Sequence, residues 1–295
     1  MSEIRKAVIP VAGRGTRFLP ATKVLPKEMF PIINKPVLMY IIEECMLSGI
    51  TEILLIISKD KDCIKKFFKK DNKLEKWLLK NNKTGYLDEW NTILSKVNIS
   101  FAYQSSKKIG SGGALTVAER WVNNEPFAVL FGDDLNFTKI DERPVIGQLI
   151  DEYDKYKKTI IGCKKINKED ICKYSSIVTG KKQGKCIEAN GIIEKPKKGT
   201  EPSLISGLAR YILPKNAFSY LKETPEMLNG EIALTDTLNI ICKKEGALAY
   251  VFDSIRYDTG DQLGYAQCIV EYMLRDEKMG KEFEKYLKTL INSRK

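Results

Sequence analysis

The chain contains no histidine among its 295 residues. That excludes Ser/His/Asp and Cys/His mechanisms, zinc held by imidazole, and imidazole as a general base. Long apolar runs are missing too: none exceeds six residues, as at Val37 to Ile42, against the ~20 needed for a membrane-spanning helix. Met1 to Lys6 is polar with no signal-type apolar region behind it, so a cytoplasmic protein is expected. The seven cysteines (Cys45, Cys63, Cys163, Cys172, Cys186, Cys242 and Cys268) are odd in number and show no C-x-x-C spacing. They read as reduced thiols rather than a disulfide framework or a metal cage. A metal would then rest on Asp or Glu oxygens, and Mg²⁺ fits such ligands best.

What is present describes an ordinary globular protein, with 43% hydrophobic, 29% charged and 9% aromatic residues. The length suits one large α/β domain or two small ones. The net charge of +11 is Lys-dominated and dispersed. Its densest stretch, Lys59 to Lys83, is interleaved with Asp60, Asp62, Asp71 and Glu75 in a helical pattern, which reads as a solvated face. No aromatic RNA-binding motif or zinc finger supports a nucleic-acid surface.

Ile4 to Val11 is an apolar run ending at Ala12-Gly13, which predicts a buried parallel strand and a glycine turn. Pro36 opens and Gly49 closes a helical pattern. Strands are predicted over Thr51–Ser58, Ile99–Gln104 and Phe127–Phe131, with helices between Lys59 and about Val97 and over Ala114–Val122. Alternating strands and helices imply right-handed crossovers, a mostly parallel sheet, and ligands at the carboxyl ends of the strands. The loops at Gly13, Gly110 and Asp133 then share one rim. The second half is less regular. Strands are predicted over Thr159–Lys164, Ser175–Thr179, Ile187–Glu194, Leu204–Leu213 and Ala247–Asp253, some of them antiparallel. Helices are predicted near Pro214–Leu221, Leu234–Lys244, Gln262–Arg275 and Glu277–Ile291. No linker divides the chain, so one α/β domain with a C-terminal substrate-binding half is expected, its parts falling at about 1–140, about 141–260 and a helical 261–295.

Gly13-Arg14-Gly15-Thr16-Arg17 follows the first strand. It is neither G-x-G-x-x-G nor a Walker loop. Even so, Gly13 and Gly15 let backbone N–H groups approach phosphate oxygens, Thr16 adds a hydroxyl donor and Arg17 a bidentate cation. A tight turn needing glycine looks the same. Lys27, in Pro26-Lys27-Glu28-Met29, can reach back over the same strand end. By itself it would read as a surface lysine, and Asp133 and Asp258 by themselves as turn or helix caps.

Taken in order, Gly13 to Arg17, Leu19-Pro20-Ala21-Thr22-Lys23, Pro26 to Met29 and Asn34-Lys35-Pro36 resemble the sugar nucleotidyltransferases, and among them the bacterial UTP:glucose-1-phosphate uridylyltransferases. The resemblance continues through Gly132-Asp133-Asp134, Ile193-Glu194-Lys195-Pro196, Arg210-Tyr211, Glu231 to Asp236 and Arg256 to Asp261. It implies a Rossmann-like three-layer αβα fold with a mixed, mostly parallel sheet. The implied reaction gives UDP-glucose and pyrophosphate from UTP and glucose 1-phosphate, with Mg²⁺, in a dimer or tetramer. It further implies that Arg17 and Lys27 hold the triphosphate, Lys195 bridges the two phosphates, and Asp133 and Asp258 ligate the metal. The base would be read around Ala12 and Gly13, by Glu28, and by Gln104, whose amide complements uracil or thymine without separating them. Gly110 belongs to the same nucleotide side, while Glu194, Ser175 and Ala209 face the sugar.

Three departures from the family pattern stand out. Gly110-Ser111-Gly112-Gly113 replaces Gly-Leu-Gly-His, Tyr174-Ser175 replaces Tyr-Gly, and Ala209-Arg210-Tyr211 replaces Gly-Arg-Tyr. They keep open a thymidylyltransferase, a uridylyltransferase for another sugar 1-phosphate, and a catalytically weak regulatory homologue.

Overall fold

A strand that is apolar at every position must be covered on both faces. Strands β1 (Lys6–Pro10) and β2 (Glu52–Ile57) are built this way. Ala7, Ile9, Ile53, Leu55 and Ile57 turn into one helical layer, while Val8, Leu54 and Ile56 turn into the other, and all are buried. The computed structural model describes residues 2–139 and 141–294. It adds β3 (Asn98–Tyr103), β4 (Phe127–Leu130), β5 (Thr159–Lys165), β6 (Ser175–Gln183), β7 (Cys186–Glu194), β8 (Ile205–Leu213) and β9 (Ala247–Val251).

These nine strands form one sheet in the order β3-β2-β1-β4-β8-β5-β9-β7-β6. Seven run one way, and only β7 and β8 run against them. The mixed, mostly parallel sheet between two helical layers is therefore as expected. Val8 pairs with Leu54 on one side and Val129 on the other, which brings the carboxyl ends of β1, β2 and β4 to a common rim. Strand β8, from the second half of the chain, lies between β4 and β5, so one sheet runs through both halves.

Some boundaries differ from the sequence reading, each for a physical reason. The first strand is Lys6–Pro10 rather than Ile4–Val11, because Thr51 and Glu52 N–H groups both bond Arg5 O and the ladder opens there. The glycine cluster expected to precede a helix is itself helical over Gly110–Leu115, with Glu119–Val122 following as a separate short helix. Strand β6 runs on to Gln183 although Gly180-Lys181-Lys182 carries no apolar period, because a hairpin pairs Gln183 with Cys186 and Lys182 with Ile187. The helix Val145–Tyr156, which the sequence reading does not include, packs against β8 and β5. Also absent from that reading is a ribbon in which Asp134–Phe137 pairs antiparallel with Ile255–Asp258.

Candidate active site

The ribbon decides the centre of the site. By pairing Asp134 with Asp258 it brings Asp133, just past β4, beside Asp258, 125 residues further on. The join is reinforced where Thr259 N (2.9 Å) and Thr259 Oγ1 (2.7 Å) donate to Asp133 O, and Gly260 N donates to Asp258 Oδ1 (3.0 Å). Lys27 Nζ pairs with Asp133 Oδ2. Gly260 closes this cluster: a Cβ there would overlap Asp133 Oδ2 and lie 3.1 Å from Asp258 Oδ1 and 3.2 Å from Lys27 Nζ. The glycine is thus the space into which two carboxylates and an ammonium converge.

Electrostatics follow from that crowding. Burial raises the Asp258 carboxyl above its usual range, Asp133 and Asp134 push it the same way, and Arg256 opposes them. For Lys27, burial works against the charge, but the pairing with Asp133 outweighs it and the ammonium is held more firmly than usual. Oxygen-only donors of this kind suit a hard divalent cation, which commonly takes one or two carboxylates plus substrate phosphates. Among the described residues no third His, Cys, Asp or Glu completes a cage. Asp134, although adjacent, is committed to Arg256, whose Nε donates to its Oδ2 at 2.6 Å.

Around this centre lies a cavity of about 500 Å³. Gly13, Gly15, Thr16, Arg17 and Lys27 line one side, and Ser175, Glu194 and Ala209 line the other, with Asp133 and Asp258 between them. Gly15 is left-handed (φ 64°), where a Cβ would meet Thr22 Cγ2 at 3.0 Å, and its carbonyl accepts from Thr22 Oγ1 at 2.8 Å. The loop is further pinned by Gln262 Nε2, which donates to Arg17 O at 2.6 Å. Backbone N–H groups, a hydroxyl and a guanidinium on one turn are able to receive phosphate oxygens.

Ala12, Glu28, Gln104, Gly110 and Lys195 do not line this cavity. Glu28 is buried and paired with Lys61 at 2.8 Å. Gln104 continues the β3 edge, its N–H donating to Ile57 O at 2.9 Å. Lys195 is exposed beside Glu194 with a left-handed backbone (φ 43°), its N–H donating to Tyr174 O at 3.0 Å. Gly110 (φ 86°) packs so tightly on Glu231 and Ile232 that no side chain fits.

The departures have local explanations. A Cβ at Gly113 would come within 2.8 Å of Lys108 C, so the chain before the helix excludes the family's histidine. Ser111 Oγ instead accepts from Leu234 N (3.0 Å), capping the helix Leu234–Lys244, whose Thr235 donates to Glu194 Oε2 (3.0 Å). Ser175 donates its hydroxyl to Gly207 O (3.1 Å), and Ala209 takes the left-handed conformation (φ 39°) that its glycine counterpart would adopt without strain. Residues the sequence reading left out also line the wall: Lys173, Tyr174, Thr235 and Arg256, the last lying over the Tyr174 ring at 5.7 Å. Arg256 and Tyr174 stood inside or beside quoted motifs, but nothing local signals their contact.

A larger groove of about 710 Å³, floored by Phe67, Phe68 and Trp90, lies elsewhere and contains none of these groups.

The profile of the Nucleotidyl transferase family matches residues 6–273. The chain is 39% identical to UTP–glucose-1-phosphate uridylyltransferase 2 of Staphylococcus saprophyticus over 290 residues, 98% of this chain and 99% of that one. Among solved structures it resembles a UDP-glucose pyrophosphorylase complexed with UDP-glucose (33% identity, TM-score 0.84, 92% of this chain and 100% of that one). It also resembles a UTP-bound enzyme from Acinetobacter baumannii (31% identity, TM-score 0.88, 96% and 98%). On the breadth of these matches, the chain belongs to the nucleotidyl transferase family.

Proposed function

We propose that this protein transfers UMP from UTP to glucose 1-phosphate, giving UDP-glucose and pyrophosphate. The observation that carries this reading is the convergence of the Gly13–Arg17 loop, Lys27 and the Asp133/Asp258 pair on one cavity, in a chain whose relatives are named for that reaction. An oxygen of the sugar phosphate attacks the α-phosphorus in line, the bond from that phosphorus to the α,β-bridging oxygen breaks, and pyrophosphate leaves with the electron pair. A phosphate monoester with a second pKa of about 6 is already ionised at neutral pH, so no general base is required and a chain without histidine suffices. The work is positioning and charge neutralisation.

In this reading Arg17 and Lys27 hold the triphosphate and offset the charge of the departing pyrophosphate. Lys195, on the exposed turn beside Glu194, reaches the sugar phosphate, and Glu194 accepts from sugar hydroxyls, with Ser175 and Ala209 forming the wall. Ala12, Gly13, Glu28, Gln104 and Gly110 form the base side. Asp133 and Asp258 would hold Mg²⁺, which when bound supplies further neutralisation of the phosphate oxygens. A uridylyltransferase for another sugar 1-phosphate is the second reading, favoured by the side chains that Ser175 and Ala209 add at the sugar wall.

Chromatography of reactions containing UTP and a panel of sugar 1-phosphates tests both. UDP-glucose and pyrophosphate in equal amounts, with glucose 1-phosphate used best, is expected. Better use of another sugar selects the second reading, and no product with any nucleoside triphosphate overturns both.

A further inference from the structure

Lys61 falls within the lysine-rich stretch that reads as a solvated face, yet it is sealed, with 6% of its side chain exposed and 3% of its partner Glu28. Its Nζ donates to Glu28 Oε2 (2.8 Å) and to Val11 O (2.8 Å). Those two acceptors belong to different parts of the candidate site. Val11 ends the run of β1 and directly precedes Ala12 to Arg17, whereas Glu28 directly follows Lys27. A third loop meets them, because a Cβ at Gly132, the residue before Asp133, would overlap a Val11 methyl and lie 3.2 Å from Glu28 Cγ. One ammonium therefore sits beneath the junction of the phosphate loop, the lysine turn and the β4 end.

Stability alone is a weak reason for such a pair. Buried ion pairs are commonly replaced by apolar residues at no net cost, since desolvation cancels most of the attraction. What a buried cation with two fixed acceptors supplies is geometry, and small misplacements of binding groups are costly to catalysis. We propose that Lys61 is a positioning residue for the nucleotide: by bonding Val11 O and Glu28 together, it sets the phosphate loop at the correct separation from Lys27. This rests on the reading of that cavity as a UTP site. Among the described residues no side-chain hydrogen bond or ion pair joins Lys61 to the sugar wall built from β6, β7 and β8, so use of the sugar phosphate is expected to be spared.

The test compares Lys61→Met with the unaltered enzyme, and Lys61→Met/Glu28→Gln with Glu28→Gln. The second pair has no stranded carboxylate, so it remains measurable if Lys61→Met alone does not fold. UTP affinity is measured by calorimetry, KM for each substrate by steady-state kinetics, and folding by thermal melting. Expected are a UTP affinity at least ten-fold weaker in the first pair and at least three-fold weaker in the second, with the sugar phosphate KM within two-fold throughout. Folded variants that melt earlier but bind UTP as tightly as their parent would overturn the proposal, as would equal losses for both substrates. If the unaltered chain binds UTP but makes no UDP-glucose, the reaction is wrong while the affinity comparison still decides the role of Lys61. If it binds no UTP, there is no nucleotide for Lys61 to position, and the proposal falls with the site.

Discussion

Gly260 shows how much of the candidate chemistry depends on a single absent side chain. Asp133, Asp258 and Lys27 all point into the space a Cβ would take. Gly260→Ala is therefore expected to displace the carboxylates and lower kcat at least as much as Asp133→Asn or Asp258→Asn, each of which should remove most turnover by deleting a charged oxygen from the proposed metal site. All three should melt within a few degrees of the unaltered protein; steady-state rates beside melting curves check this, and a fully active Asp133→Asn would refute the metal role. The cysteines make a second case. Burial pushes the thiols of Cys186, Cys242 and Cys268 up to about 12 and also raises Cys45 and Cys163. Cys63 and Cys172 are only half-buried. Since the thiolate is the reactive form, iodoacetamide at pH 8 should label Cys63 and Cys172 in the native protein and the other five only after unfolding. Mass spectrometry of the peptides reads the pattern, and rapid labelling of Cys163 would contradict the burial.

At the scale of elements, the ribbon that carries Asp258 is held from behind by charge. Arg210 on β8 is fully buried, bonds both oxygens of Glu44 from the helix Val37–Leu47, and donates to Asp134 O at 2.8 Å, while Glu44 Oε1 accepts from Ile146 N at 3.0 Å. Arg210→Met should cost about 3–5 kcal/mol because it leaves Glu44 charged and buried without its partner. Glu44→Leu/Arg210→Met should cost less than the single change, and urea unfolding of the set measures the coupling. Strictly additive losses would mean that the two groups do not share a network. This network also marks where sequence reading stops. The strands at Lys6, Glu52, Phe127 and Thr159 were legible because buried strands are unbroken apolar runs. The helices Leu234–Lys244 and Gln262–Arg275 were legible from their 3.6-residue period. The ribbon was not, since Asp134-Leu135-Asn136-Phe137 exists as a strand only through its distant partner. The motif at Gly13–Arg17 was readable because its chemistry is local. Burial of Lys61 is not, because it depends on Glu28, 33 residues away.

One nine-stranded sheet runs through both halves of the chain, and its strand order sets what can be separated. Strand β4 is paired parallel to β1 on one edge and antiparallel to β8 on the other. All four of its residues, Phe127, Ala128, Val129 and Leu130, are buried. A chain ended at residue 140 retains the Gly13–Arg17 loop, Lys27 and Asp133 but loses β8, so this apolar strand becomes an open edge, the usual template for association between chains. It also loses Asp258, and with it half of the carboxylate pair. Residues 1–140 alone are therefore expected to aggregate or run as large oligomers on size exclusion, to melt without a cooperative transition, and to bind UTP far more weakly than the full chain. A fragment that stays monomeric and melts cooperatively would show instead that residues 1–140 form an autonomous domain. The interleaving of β8 between β4 and β5 would then be a docking arrangement rather than a condition of folding.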